Sequence, residues 1–226
     1  DRFENIELNK TKPGQDIPDI YYAVYQNIIA ISLFNHEAHL FSHIYGGDHN
    51  IIEIEVLLQA KNNSHFNFEK VGEKSSNLSD EQFINFVKKG KEHCFRGDVF
   101  QLVLSRCFSQ GFKGDEFNVY RTLRSINPSP YLFFFDYGYF KIFGSSPEAQ
   151  LIVQSGKAEI HPIAGTFRRT GDDEKDALAA GLLAKDPKEN SEHVRLVDLA
   201  RNDLSRNGSE VVVEKNREIQ FYSHVI

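Results

Sequence analysis

The chain has 226 residues, with 26 lysines and arginines against 32 aspartates and glutamates, for a formal net charge of −6. That length suits one large domain or two small ones with a buried core. The acidic balance disfavours nucleic acid as the main partner, because neutralising phosphates needs a basic face. The longest apolar runs, residues 28–34 and 131–135, are far too short to cross a bilayer. No signal-peptide pattern precedes them. Cys94 and Cys107 lack metal-ligand spacing, so a reducing compartment, the cytoplasm, is the expected setting. With no methionine at position 1 or elsewhere, the sequence reads as part of a longer chain.

In chain order, apolar and β-branched runs at 20–25, 28–34 and 38–44 predict antiparallel strands. Gln26-Asn27 and Asn35-His36-Glu37 interrupt them with turn-forming residues. His36, His39 and His43 fall at helical spacing. Strand geometry, however, puts only His39 and His43 on one face, which disfavours a metal site there. Gly46-Gly47-Asp48 ends the meander, residues 51–60 fit a short amphipathic helix, and polar 61–77 reads as a surface loop. Ser79 and Gln82 form a capping box, with Leu78 placed to staple against Phe83. The helix they open runs to about residue 95, with Phe83, Phe86, Val87 and Gly90 facing inward.

Gly97-Asp98 turns the chain into a strand over 99–108, with Gln101, Val103 and Ser105 on one face and Phe100, Leu102 and Leu104 on the other. A glutamine inside such a strand either bonds a neighbour or faces a cavity. Residues 115–126 form another amphipathic helix, stopped by Asn127-Pro128-Ser129-Pro130. An aromatic hairpin follows, 131–135 with 139–143, around Asp136-Tyr137-Gly138. Next comes a tight corner at 144–148, whose turn chemistry leaves Glu148 open to a solvated or a functional role. Strands at 150–154 and 158–163 lead to Ala164-Gly165-Thr166 and a basic loop at 167–171, which lacks the glycine spacing and Gly-Lys-Ser/Thr ending of a P-loop. Asp172 caps an Ala/Leu-rich helix reaching residue 185.

Residues 186–208 read as one helix: Asp186 as cap, Pro187 in the first turn, Asn207-Gly208 as a left-handed stop. Glu189 and Glu192 stand three apart, so their carboxylates project from one face. They either complement the helix dipole or bind a cation. Asp198, Arg201, Asn202, Asp203 and Arg206 alternate with Val194, Leu196, Val197, Leu199 and Leu204. A helix apolar over so wide a sector is expected to be largely buried, with partners for its charges. Short strands at 211–214 and around Ile219 precede the ending Tyr222-Ser223-His224-Val225-Ile226.

Four segments carry a resemblance: G-D-V-F-Q-L-V-L-S-R at 97–106, N-P-S-P-Y-L-F at 127–133 with G-S-S-P-E at 144–148, P-I-A-G-T at 162–166, and E-H-V-R-L-V-D-L-A-R-N-D-L at 192–204 leading to Y-S-H-V at 222–225. In this order and spacing the chain resembles the chorismate-utilising enzymes, most of all the large, aminase components of anthranilate synthases. The resemblance spans 1–226 as a partial chorismate-binding domain. It lacks the family's N-terminal tryptophan-binding segment and the C-terminal part bearing a second metal-binding glutamate and a pocket for the substrate carboxylates. It departs from the family at Arg195, where an apolar residue is usual.

The resemblance implies an α+β fold, a four-layer α/β/β/α sandwich with two packed, mainly antiparallel sheets. It implies Mg²⁺ held by Glu192 with Glu189 beside it, a choice that suits hard oxygen donors. Glu148 would be the acid that protonates the departing ring hydroxyl, and His224 the base that takes the ring proton as pyruvate leaves. Gly165 and Thr166 would hold chorismate, and Gln101 would face the ring near the nucleophile. Pro130, Tyr131 and Leu132 would belong to a tryptophan feedback site.

Within the family, isochorismate and salicylate synthases resemble one another in a lysine at the place of Gln101. A glutamine cannot deprotonate water, whereas ammonia arrives nucleophilic. Aminodeoxychorismate synthases often read P-I-K-G-T, where this chain has Ala164. The expectation is therefore amination to anthranilate, with ammonia supplied by a glutamine amidotransferase subunit in a hetero-oligomer. The alternative within the family is an aminodeoxychorismate synthase component or an isochorismate or salicylate synthase, and the alternative of another class is a catalytically inactive fragment of such an enzyme.

Overall fold

The computed structural model describes residues 16–47, 51–61, 66–99 and 101–226, which fall into two compact units, residues 1–65 and 66–226. In the first unit β1 (Asn27–Ser32) pairs antiparallel with β2 (Glu37–Ser42), from Asn27 opposite Ser42 to Ser32 opposite Glu37. The turn between them is closed by the Asn35 amide donating to Ser32 Oγ at 3.2 Å and by His36 at φ 57°. The strand expected at 20–25 does not form; among the described residues β1 has β2 as its ladder partner. α1 (Ile51–Gln59) matches the predicted helix.

In the second unit β3 (Glu69–Ser76) occupies the stretch read as a polar loop. Backbone pairing is indifferent to side-chain polarity, and β3 joins β4 (Phe108–Lys113) antiparallel, with a register shift between Val71 and Ser75 where Gly72 takes φ +71°. Between them runs α2 (Asp80–Arg96), with both capping-box bonds made: Ser79 N–H to Gln82 Oε1 at 2.8 Å and Gln82 N–H to Ser79 Oγ at 3.2 Å. Gly97 ends α2 at φ 79°.

The strand expected over 99–108 is displaced to β4. Residues 101–107 lie against α2 instead, with Leu102 and Leu104 at 3.4 Å from where a Cβ on Gly90 would stand. Two of them bond back to the start of the helix: Arg106 reaches Ser76 Oγ at 2.8 Å and Asp80 at 2.5 Å, and the Cys107 amide reaches Asn77 Oδ1 at 2.9 Å. Phe100 lies outside the described residues. Of the inward set predicted on α2, Gly90 is buried and Phe83 half-buried, while Phe86 and Val87, on the same face as Gly90, stay exposed.

α3 (Phe117–Ile126) starts with the Asp115 carboxylate accepting the Phe117 amide at 2.9 Å and ends before the predicted proline stop. β5 (Tyr131–Asp136) and β6 (Lys141–Ser146) form the aromatic hairpin, Tyr131 opposite Ser146. α3 packs on it through rings: Phe117 meets Phe134 edge-on at 5.0 Å, and Phe134 stacks on Phe143 at 5.5 Å. Glu116 and Lys141 close the same edge as an ion pair. Gly144 is needed for close approach, since a Cβ there would stand 2.7 Å from the Phe133 ring. β7 (Ile152–Gln154) and β8 (Lys157–Glu159) make a tighter hairpin, turned by Ser155 and Gly156 at φ 52° and 78°.

α4 (Asp173–Lys185) and α5 (Pro187–Asn207) share one residue as joint. Asp186 ends α4 and caps α5, its carboxylate accepting from the Lys188 and Glu189 amides at 2.9 and 3.1 Å, with Pro187 next as expected. Two expectations for α5 change. Gly208 is extended, at φ −126°, not left-handed; its tight spot is Leu204 O, 3.0 Å from where a Cβ would lie. No α5 residue is buried, and Asp198 and Arg201 pair with each other at 3.4 Å on the helix surface. The strands expected at 211–214 and near 219 are absent. Residues 208–226 run as an irregular strap whose end bridges antiparallel to the 167–169 segment, Arg168 opposite Val225.

The described strands thus make four two-stranded antiparallel sheets among five helices, an α+β fold. A buried cluster of Ala180, Leu183 and Ile226, with Phe167, Ala179 and Ile219 against it, ties α4 to the strap.

Candidate active site

The strap positions His224. Its backbone carbonyl accepts the Arg169 amide at 2.9 Å, and Phe167 and Ile226 exchange amide-to-carbonyl bonds at 3.1 and 2.8 Å. At the ring, Nε2 lies 2.9 Å from the Ile126 carbonyl at the end of α3. A carbonyl only accepts, so Nε2 carries a proton there, and in the neutral ring the free lone pair is on Nδ1. If this imidazole takes a proton, it takes it at Nδ1.

Glu148 follows β6. Ser146 Oγ donates to the Glu148 carbonyl at 2.8 Å and accepts the Glu148 amide at 3.2 Å, which shapes the turn and leaves the carboxylate exposed. Ser145 Oγ donates to the Asn127 carbonyl at 2.5 Å, drawing β6 to the end of α3. Asn127, Ser129, Pro147 and residues 222–225 consequently surround one cleft of about 170 Å³. His224 lines it together with Pro147, the chain neighbour of Glu148. The volume is below the roughly 300 Å³ at the small end of ligand pockets, so the cleft supplies one wall of a site.

Gly165 sits at φ 79° against the α4–α5 joint. A Cβ there would lie 2.9 Å from Leu183 Cδ1 and 3.3 Å from Glu189 Oε2, so the Ala164-Gly165-Thr166 loop meets the first turn of α5. Glu189 is 20% exposed, while Glu192 is exposed on the same helix face, with no hydrogen bond or ion pair among the described residues. No three His, Cys, Asp or Glu side chains converge on a metal position among the described residues. The two carboxylates are donors of the right kind for a hard cation, and most of its positions would fall to water and substrate.

Gln101 is held by α5. Arg195 Nη2 donates to Gln101 Oε1 at 2.9 Å, and because a guanidinium has no acceptor the amide oxygen faces Arg195 and its NH₂ faces away. Arg195, the departure from the family pattern, thus orients the glutamine. Tyr131 and Leu132 open β5 directly after Pro130, with Tyr131 across the ladder from Ser146, whose hydroxyl shapes the Glu148 turn. The structure brings no contact between Gln101 and the His224 cleft into the described set.

Two groups escaped the sequence reading. Asp176, in the first turn of α4 where acidic residues are ordinary, is 1% exposed. It accepts the Thr170 amide at 2.7 Å and Arg169 Nε at 2.8 Å; those bonds, the amide first, hold its pKa down at about 2. The Ile126 carbonyl had no side-chain signature that could have revealed it.

The family model for chorismate binding enzymes matches residues 1–226. Over 153 residues the chain is 46% identical to anthranilate synthase component 1 of Aquifex aeolicus, covering 67% of this chain and 31% of that protein. It is 47% identical over 154 residues to the protein of the same name from Geobacillus stearothermophilus, covering 67% and 30%. The crystal structure of anthranilate synthase component I from Streptococcus pneumoniae TIGR4 superposes with a TM-score of 0.68 at 28% identity, covering 89% of this chain and 47% of that one. The chain therefore spans about a third of the length of these sequence relatives.

Proposed function

This chain belongs to the chorismate-binding enzyme family, and from that premise we propose that it forms part of an anthranilate synthase large component, which aminates chorismate and eliminates pyruvate. Ammonia adds at the ring carbon beside the carboxylate-bearing carbon, the ring hydroxyl leaves as water, and loss of the enolpyruvyl group with a ring proton gives anthranilate. Glu148 delivers the proton that the hydroxyl needs, since hydroxide is a poor leaving group. His224 removes the ring proton through Nδ1, while its Nε2–H stays on the Ile126 carbonyl. Gly165 and Thr166 hold the substrate, and Gln101 turns its NH₂ toward the ring.

Glu192 with Glu189 would hold Mg²⁺, which supplies charge to bind the substrate carboxylate. Ammonia comes from a glutamine amidotransferase subunit, and tryptophan binding at Pro130, Tyr131 and Leu132 restrains the enzyme. Among the described residues no helix is long and apolar enough to cross a membrane, and the chain works in the cytoplasm.

The observation that supports this reading best is the cleft lined by both His224 and Pro147, the residue before Glu148. The test incubates the full-length gene product with chorismate, Mg²⁺ and ammonium and follows anthranilate fluorescence. Anthranilate formation is expected, falling on the order of 100-fold or more in His224→Ala and Glu148→Gln. Isochorismate or aminodeoxychorismate as the product would overturn the assignment.

A further inference from the structure

We propose that Arg169, anchored by the buried carboxylate of Asp176, is a positioning residue that holds the His224 base in register with the Gly165-Thr166 substrate loop; the inference rests on the function proposed above. One side chain and its own backbone hold both carbonyls that flank Ser223. Arg169 Nη1 donates to the Tyr222 carbonyl at 3.1 Å, and the Arg169 amide donates to the His224 carbonyl at 2.9 Å. With the Arg168–Val225 bridge and the Phe167–Ile226 pair, this makes a short ladder. Its one strand continues directly from Thr166 and its other carries His224.

The anchor is what makes the ladder stiff. Asp176 Oδ1 accepts both the Thr170 amide and the Thr170 hydroxyl, at 2.7 and 2.9 Å, and Oδ2 accepts Arg169 Nε at 2.8 Å. Asp173, one turn-mate away, also approaches Arg169, at 3.6 Å, but is 99% exposed. Screening by water leaves that second pair little hold. Asp176 at 1% exposure cannot exchange its partners for water, so losing either partner strands a polar group. Arg169 is consequently fixed at its guanidinium, its backbone is fixed by the ladder, and the imidazole of His224 is fixed beyond it by the Ile126 carbonyl.

The test uses the full-length enzyme with Arg169→Lys and Asp176→Asn. A lysine gathers its donors on one nitrogen and cannot reproduce the fork that sets Nε on Asp176 and Nη1 on the Tyr222 carbonyl. Asparagine offers one acceptor oxygen to three donors. Arg169 is 26% exposed, so Arg169→Lys tests the claim if Asp176→Asn does not fold. Expected is a loss in kcat on the order of 100-fold, the size that follows from misplacing a catalytic group by about 1 Å, with KM for chorismate changed much less. The nitrogen-15 shifts of the His224 ring should move from a single Nε2–H tautomer toward the average of two. A folded Arg169→Lys variant with unchanged kcat and unchanged His224 tautomer would overturn the proposal and leave the pair a stability element only. Should the wild-type enzyme not turn over chorismate, the activity reading fails, while the ring shifts still decide the positioning claim.

Discussion

Single atoms decide what the catalytic candidates can do. The Ile126 carbonyl selects which nitrogen of His224 is basic, and the Arg195 guanidinium selects which end of the Gln101 amide is presented. Both choices follow from donor and acceptor inventories alone. Asp176 adds a pH dependence. Its carboxyl sits at about 2 in the folded chain against an ordinary 3.8, so the folded form binds its proton less readily. The stabilisation is complete above about 3.8 and is lost as pH falls through about 2. Amide protection at Arg169 and Thr170 should therefore hold at pH 5 and fall away toward pH 2, and Asp176→Asn should abolish that acid step. Hydrogen exchange across this range checks it. Equal acid steps in wild type and variant would assign the step to another group.

Elements with local signals were legible. The Ser79 capping box, the Asp172 and Asp186 caps and Pro187 all stand as read, because a cap is settled within three or four residues of chain. Asp186 serves two helices, ending α4 and capping α5 beside the Gly165 contact and Glu189. Asp186→Ala should cost about 1 kcal/mol, and Asp186→Asn only a few tenths, measured by chemical denaturation. An Ala variant as stable as wild type would show that the joint is held by packing instead. Strand positions were less legible. Apolar alternation placed a strand over 99–108, while the ladder formed at Phe108–Lys113 opposite the polar Glu69–Ser76. Residues 101–107 had found α2 as a packing partner, and β3 needed only its backbone to pair.

At the scale of the molecule, the fully buried apolar set among the described residues is small: Ala180, Leu183 and Ile226. Many large apolar side chains are open, including Phe95, Leu57 and Leu199. Open apolar side chains in such number call for cover. These residues expressed alone should bind a hydrophobic dye strongly and turn over chorismate little or not at all. Turnover comparable to that of the full-length enzyme, by purified protein of matching mass, would contradict this.

The family, the helices with their caps, the aromatic hairpin and the candidacy of Glu148, Thr166, Glu192 and His224 were all readable along the chain. Those features are carried by neighbours along the chain or by motif order. Only the tertiary structure decided which groups meet: His224 with the Ile126 carbonyl, Gly165 with Glu189, Gln101 with Arg195, and Arg169 with buried Asp176. Each pairing joins residues whose partner is a backbone atom or a side chain of ordinary surface type. Burial and direction, which give such groups their meaning, are properties of the folded chain and leave no mark in the local pattern.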